Sequence, residues 1–298
     1  MATSVAAIHT SSDQINPDQM YVKKMSEYNV KIASDKRQTC YISGICILPS
    51  GETIVADYNN KRVKMLDKHY NVSSDLYVDS NPKDICQISP CQVAVTFENT
   101  VRRINVSDGK LVIGHLLELV EPGYRVDKLP HATLGITYHQ GDLYITSGTA
   151  LYLYDLNLYD RNGIYLRHKK LLYEDTGGGI TVYKFAISPD GDWIYVTNSA
   201  HNKLITLTIA GTLLSTFNDH ELAGPNDVHV TPKGQVLVCG ISSHTVIQVD
   251  REGKKKLATL ASENDGLRYP VSVCYNTNTD QMSVGLFASN NISVMELK

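Results

Sequence analysis

ILPSGETIV (47–55), ISPCQVAV (88–95), YHQGDLYI (138–145), ISPDGDWIYV (187–196), VTPKGQVLV (230–238) and YNTNTDQMSV (275–284) decide the fold. Each is a short β-rich run, a Gly/Pro/Asn/Asp turn and a second β-rich run, the signature of a hairpin. Ahead of each lies an equivalent inner segment: GICI, DICQ, GITY, KFAI, DVHV and SVCY. Their second residues, Ile45, Ile85, Ile136, Phe185, Val228 and Val273, are all apolar and recur at intervals of 40, 51, 49, 43 and 45. A third strand follows every hairpin: RVKML (62–66), VRRINV (101–106), LYLYDL (151–156), KLITLTI (203–209), TVIQV (245–249) and NISVMEL (291–297). A fourth follows five of them: VSSDLYV (72–78), KLVIGHLLEL (110–119), KKLLYE (169–174), TLLSTFN (212–218) and KKLATL (255–260). The sixth unit runs out of chain, and a lone β-rich segment, MYVKKMSEYNVKIAS (20–34), stands before the first.

A four-stranded repeat of 40–50 residues predicts an all-β propeller of six antiparallel blades. The leftover N-terminal strand completes the last blade beside Asn291–Leu297 and removes an exposed sheet edge. The domain is expected over residues 20–298, with a flexible polar segment at 1–19.

Composition fits. The 298 residues are 42% hydrophobic and 20% charged, enough apolar content for a core and too little charge for a disordered chain. A formal net charge of -3 does not suggest bulk nucleic-acid binding. MATSVAAIHTSSDQ shows neither a basic nor an apolar leader region, and no long apolar run is present, so a cytoplasmic chain without a membrane span is expected. With no coiled-coil pattern the expected state is a monomer.

Asp57-Tyr58-Asn59-Asn60-Lys61-Arg62-Val63 follows the second strand of the first unit, and Asn198…His201…Lys203-Leu204 and Gly240…Ser243…Thr245-Val246 are its counterparts in units four and five. This pattern, with the P-x-G turns, resembles the NHL repeat. More narrowly it is similar to the propeller that ends tripartite-motif (TRIM) proteins, especially an invertebrate expansion of them. The resemblance implies a recognition domain for protein or RNA. The Asp-to-Arg element is complete only in unit one, and units two, three and six have short loops at Phe97–Thr100, Ser147–Ala150 and Leu286–Asn291. A RING needs clustered Cys and His; the six cysteines form no CxxC pair, so ligase activity is not implied. Asp57 and Arg62, close together on one loop, are expected to pair and hold it.

With strands named a to d from the axis outward, the d–a and b–c loops share one face. Long d–a loops at 120–133 and 175–182 make this the richer face. Binding candidates there are Tyr58, Lys61, Arg62, Tyr124, Arg125, His201, Lys203, His244, Arg268 and Tyr269, with Tyr41 and Phe97 beside them; Tyr and Arg are the types enriched at binding hot spots. Acids outnumber bases in these loops (Glu98, Glu118, Glu121, Glu174, Asp175, Asp219, Glu221, Glu263, Asp265), which favours a protein or peptide partner over RNA on the same face. Basic runs at 167–170 and 254–256 belong to the opposite face and rim and read as solvated turns.

A metal-dependent propeller hydrolase is the remaining alternative. At the inlet of the inner strands stand Gly44, Asp84, Gly135, Lys184, Asp227 and Ser272. Asp84 and Asp227 converge across the channel, but two carboxylates fall short of the 6–8 oxygens calcium takes, and Lys184 competes. One position inward, Cys46, Cys86, His229 and Cys274 form a nominal Cys₃His set; small buried side chains packed between blades explain the same pattern. No catalytic fingerprint is present. The expectation is a non-enzymatic protein or peptide recognition module with no cofactor, metal or catalytic residues.

Overall fold

The computed structural model describes residues 18–121, 124–126, 128–160 and 163–298; among these, β-strands dominate and the one helical element is a 3₁₀ turn at Glu263–Asp265. β1 (Val22–Asn29) comes first. β2 (Cys40–Ile47), β3 (Thr53–Asp57), β4 (Arg62–Leu66) and β5 (Val72–Tyr77) form an antiparallel set, as do β6 (Asp84–Ser89), β7 (Gln92–Thr96), β8 (Val101–Ser107) and β9 (Lys110–Leu116). A small hairpin, β10 (Leu119–Glu121) and β11 (Tyr124–Val126), precedes β12 (Ile136–His139), β13 (Asp142–Thr146), β14 (Ala150–Asp160) and β15 (Gly163–Glu174). Then come β16 (Phe185–Ile187), β17 (Trp193–Asn198), β18 (Lys203–Thr208) and β19 (Leu213–Phe217), and β20 (Pro225–Val230), β21 (Val236–Gly240), β22 (Thr245–Val249) and β23 (Lys256–Ala261). β24 (Pro270–Asn276), β25 (Gln281–Ser289) and β26 (Asn291–Leu297) end the chain.

Burial explains the order of strands. Middle strands such as β3 (TIVAD) and β22 (TVIQV) are buried at every position because neighbouring sheets cover both their faces. Outer strands alternate: β5 (VSSDLY) shows every second side chain to solvent, a charged and polar edge that resists strand addition. Apolar clusters join each sheet to the next. Leu48, Ile54 and Met65 pack against Ile85, Val93 and Ile104, and so on round the molecule until Cys40, Ile42 and Val55 meet Cys274, Ile292 and Val294. The last sheet therefore packs on the first, and the fold is an all-β propeller.

β1 pairs antiparallel with β26 from Val22↔Leu297 to Asn29↔Asn291, and Tyr21 and Lys298 exchange both backbone hydrogen bonds at 3.1 Å. The set β24-β25-β26-β1 is also stitched to β2 through Cys40↔Ser289 and Tyr41↔Phe287, which makes a continuous eight-stranded sheet. No helix among the described residues is long and apolar enough to cross a membrane.

Three expectations need correction. The segment 120–133 is not all irregular loop: the β10–β11 hairpin adds to the β12–β15 sheet through a parallel contact, Leu119↔Leu166. The strands β14 and β15 run well past residues 151–156 and 169–174 because their hairpin keeps pairing out to Asp160↔Gly163. The segment 286–291 is largely strand, since β25 continues to Ser289 to reach β2.

Candidate functional site

The inner strands β2, β6, β12, β16, β20 and β24 line a central channel with a cavity of about 500 Å³, walled by Cys46, Cys86, His229, Cys274, Tyr138 and Gln87 among others. Beside the lining carboxylates Asp84 and Asp227 lies an ion cluster. Lys184 Nζ donates to Asp84 Oδ1 at 3.1 Å and to the carbonyl of Ser43, and lies 3.8 Å from Asp227 Oδ2. Both carboxylates are aimed by backbone amides: Ile136 N–H donates to Asp84 Oδ2 at 3.0 Å, Val273 N–H to Asp227 Oδ2 at 3.0 Å, and Val228 N–H to Asp227 Oδ1 at 2.9 Å. Gly44 leaves room for this: a Cβ there would lie 2.9 Å from Asp84 Oδ1. Burial disfavours the Lys184 charge, yet Asp227 and Asp84 together hold its pKa above the ordinary lysine value. The ammonium stands where the two acids converge.

The thiols of Cys46, Cys86 and Cys274 are pushed up by burial, Cys274 to about 12, and burial lowers His229 to about 4. These four residues share the channel wall, but their ligand atoms do not lie within 4.8 Å of one another as a shared metal would need.

The b–c turn after β3 is held from inside. Asp57 Oδ1 accepts from the Tyr41 and Asn60 amides at 3.2 and 3.4 Å, and Oδ2 accepts from Asn60 Nδ2 and Lys64 Nζ, each at 2.8 Å. Lys64 Nζ also reaches Asp35 Oδ2 at 2.7 Å and the Val30 carbonyl at 2.9 Å. Asp57 thus pairs with Lys64, not with Arg62 as expected. Arg62 turns outward to Asp75 and to Asp35 at 3.5 Å, because the facing β5 places Asp75 beside it. Equivalent turns carry Lys61, Asn202 and His244 in the left-handed region, at φ 52°, 53° and 57°.

On the d–a/b–c face, aromatic side chains from different sheets meet in one ridge. Tyr58 packs on Tyr41 with ring centres 5.2 Å apart; Tyr41 meets Phe287 edge-on at 5.3 Å; Phe287 meets Tyr269 at 6.3 Å; and Tyr269 meets His244 at 4.4 Å. Edge-to-face contacts of this kind are the favoured aromatic geometry. Tyr269 and Phe287 are 45% and 41% exposed, so the ridge faces solvent. Tyr269 sits at φ 51°, a strained conformation for a bulky side chain. Its amide donates to His244 Nδ1 at 3.1 Å and its carbonyl accepts from Phe287 N–H at 2.9 Å. Burial, and then the neighbouring Tyr41, raises the Tyr183 phenol above its usual range.

Of the candidates read from sequence, Tyr58, His244 and Tyr269 join this ridge. Lys61 lines a recess beside it with Lys36 and Arg37. Arg268 is exposed and lies 3.4 Å from Glu263. His201 and Lys203 lie apart, His201 on the turn between β17 and β18 and Lys203 at the start of β18; the His201 amide donates to Asn198 Oδ1 at 2.9 Å. Tyr124 and Arg125 lie on β11, with side chains outside the described residues. Phe287 was missed because LFASNN reads as a loop; the signal was the unusual length of apolar pattern after the hairpin 275–284.

Residues 39–65 match the NHL repeat, and no curated protein matches the chain. Among solved structures, a streptogramin B lyase is similar with a TM-score of 0.63 at 14% identity, over 94% of this chain and 98% of that one. A catalytically inactive virginiamycin B lyase from Staphylococcus aureus with quinupristin has a TM-score of 0.60 at 14% identity, covering 92% and 99%. A luciferin-regenerating enzyme has a TM-score of 0.63 at 14% identity, covering 91% and 95%. These likenesses establish the propeller fold; identity this low carries no chemistry with it.

Proposed function

We propose that the chain is a six-bladed NHL-type propeller, closed by its N-terminal strand and akin to those of tripartite-motif proteins, that works in the cytoplasm as a non-enzymatic recognition module for a protein or peptide. The observation that carries this reading is the solvent-facing ridge Tyr58–Tyr41–Phe287–Tyr269–His244. Large rigid aromatics give contact area at little entropic cost, and a ridge drawn from two neighbouring sheets is held in shape by their packing. The six-blade count is supported by the pairing of β1 with β26 and by the four-strand sets on either side of the β2–β25 seam. In the channel, the position a divalent ion would take is filled by the Lys184 ammonium, which favours binding over metal-assisted hydrolysis.

The test is peptide display against the immobilised domain, followed by affinity measurements on Phe287→Ala/Tyr269→Ala. Loss of tenfold or more in affinity for the selected peptides, about 1.4 kcal/mol or more, is expected. Unchanged affinity, or a selected site mapping elsewhere, overturns the assignment of this face.

A further inference from the structure

Beside the Tyr58 end of the ridge lies a recess of about 530 Å³ whose lining includes Lys36, Arg37, Lys61, Asn59, Asn81 and Tyr77. Three cations and no carboxylate line it, on a chain whose net charge is -3. The acids nearby are engaged elsewhere or are not part of the lining. Asp35 is buried between Lys64 and Arg62, Asp75 is paired with Arg62, and exposed Asp79 offers its backbone carbonyl to Lys61 Nζ at 3.2 Å. Among the described residues, the side chains of Lys36 and Arg37 have no ion-pair or hydrogen-bond partner.

The recess is built. The Arg37 amide donates to Asn60 Oδ1 at 2.9 Å, Asn59 Nδ2 donates to the Thr39 carbonyl at 3.2 Å, and Asn81 Nδ2 donates to the Tyr58 carbonyl at 2.7 Å. Lys64, buried beneath, ties the same segment down through Val30 and Asp35. The side-chain amides of Asn59 and Asn81 each keep a second hydrogen for a ligand. Three like charges held together repel one another, and a dianion relieves that repulsion where a single carboxylate relieves only part of it. Arg37 adds a planar fork suited to two phosphate oxygens.

We infer that the Lys36/Arg37/Lys61 recess receives the phosphoryl group of a phosphorylated residue in a peptide whose neighbouring side chains lie on the Tyr58–Tyr41–Phe287 ridge. This rests on the peptide-docking reading and specifies its ligand.

The experiment uses an arrayed peptide library in matched phosphorylated and unphosphorylated forms, read by fluorescence anisotropy. Alongside it, inorganic phosphate is titrated into ¹⁵N-labelled protein. Phosphate should shift the amides of residues 36–37 and 59–61. Phosphorylated members should bind about tenfold or more tightly than their partners. Lys36→Ala/Arg37→Ala should erase that preference while leaving the unphosphorylated affinities unchanged; both side chains are exposed, so this variant keeps the fold. Equal binding of both forms, lost together in Phe287→Ala/Tyr269→Ala, overturns the phosphate assignment and leaves the docking reading standing. Phosphate-induced shifts with no peptide bound in either form overturn the docking reading, and the peptide source with it. Tighter binding by a single-stranded oligonucleotide, with affinity falling by several powers of the salt concentration, replaces the peptide by a nucleic acid.

Discussion

Lys64 and Lys184 are both withdrawn from solvent, and each ammonium lies between two aspartates. They differ in what they join. Lys64 is local: it binds Asp57 on the adjacent strand of its own sheet and Asp35 and Val30 on the segment that leads into that sheet. Lys184 is global: rooted just before β16, it meets Ser43 of β2, Asp84 of β6 and Asp227 of β20, three other sheets. The same chemistry fastens a loop in one place and a ring in the other. Charges buried this deep are tolerated only because partners and backbone amides satisfy them.

The largest expected effect follows from breaking the global cluster. Lys184→Met leaves Asp84 and Asp227 facing each other in the channel and should cost about 3–5 kcal/mol in equilibrium denaturation. Lys64→Met should cost less, about 3 kcal/mol, because Asp57 keeps its Asn60 bonds and Asp35 keeps Arg62. Hydrogen exchange separates the two further. Protection should fall in residues 30–39 and 57–61 for Lys64→Met, and across several sheets for Lys184→Met. Global loss of protection in the Lys64 variant would erase the distinction.

His229 tests the channel without touching the cluster. Its pKa is lowered to about 4 by burial, so the unfolded chain takes up its proton near pH 6.5 while the folded chain resists. The stabilising effect of the neutral ring is therefore complete above pH 6.5 and is lost as pH falls from there to 4. On the order of 2–3 kcal/mol should disappear across that window, and His229→Gln should flatten this limb of the stability–pH curve. A wild-type curve already flat there would mean that channel water solvates the imidazolium.

The smallest effect belongs to the ridge. Tyr269→Gly removes ring contacts with His244 and Phe287 but also releases the φ 51° conformation, which costs a side chain about 1–2 kcal/mol. The two should offset to within about 1 kcal/mol in denaturant midpoints. A loss above about 2 kcal/mol would make the ridge a part of the core instead of a surface held ready.

Much of this architecture is legible in the sequence. Hairpins and inner strands recur at fixed places in the repeat, the lone N-terminal strand supplies the piece the last unit lacks, and equivalence of position alone put Asp84, Lys184 and Asp227 at one level of the axis. Tyr58, His244 and Tyr269 were legible as loop aromatics. Lys64 was not: RVKML reads only as a third strand, and the return of residues 30–35 over that strand is what engages its lysine. Phe287 was hidden by the seam between β25 and β2, a pairing between residues some 250 positions apart. The Asp57–Arg62 expectation failed for the same reason: proximity along the chain said nothing of Asp35 or Asp75.

The union of β1 with β26 has a consequence for how the molecule comes into being. Residues 22–29 are translated before the other described strands of the ring, and their partners, 291–297, after them. Until then the nascent chain is an open arc with a raw margin at either side, exposed to rival strands and to proteases. Closure of the ring waits until residues 291–297 have been made, a long-range event of the kind that makes folding slow.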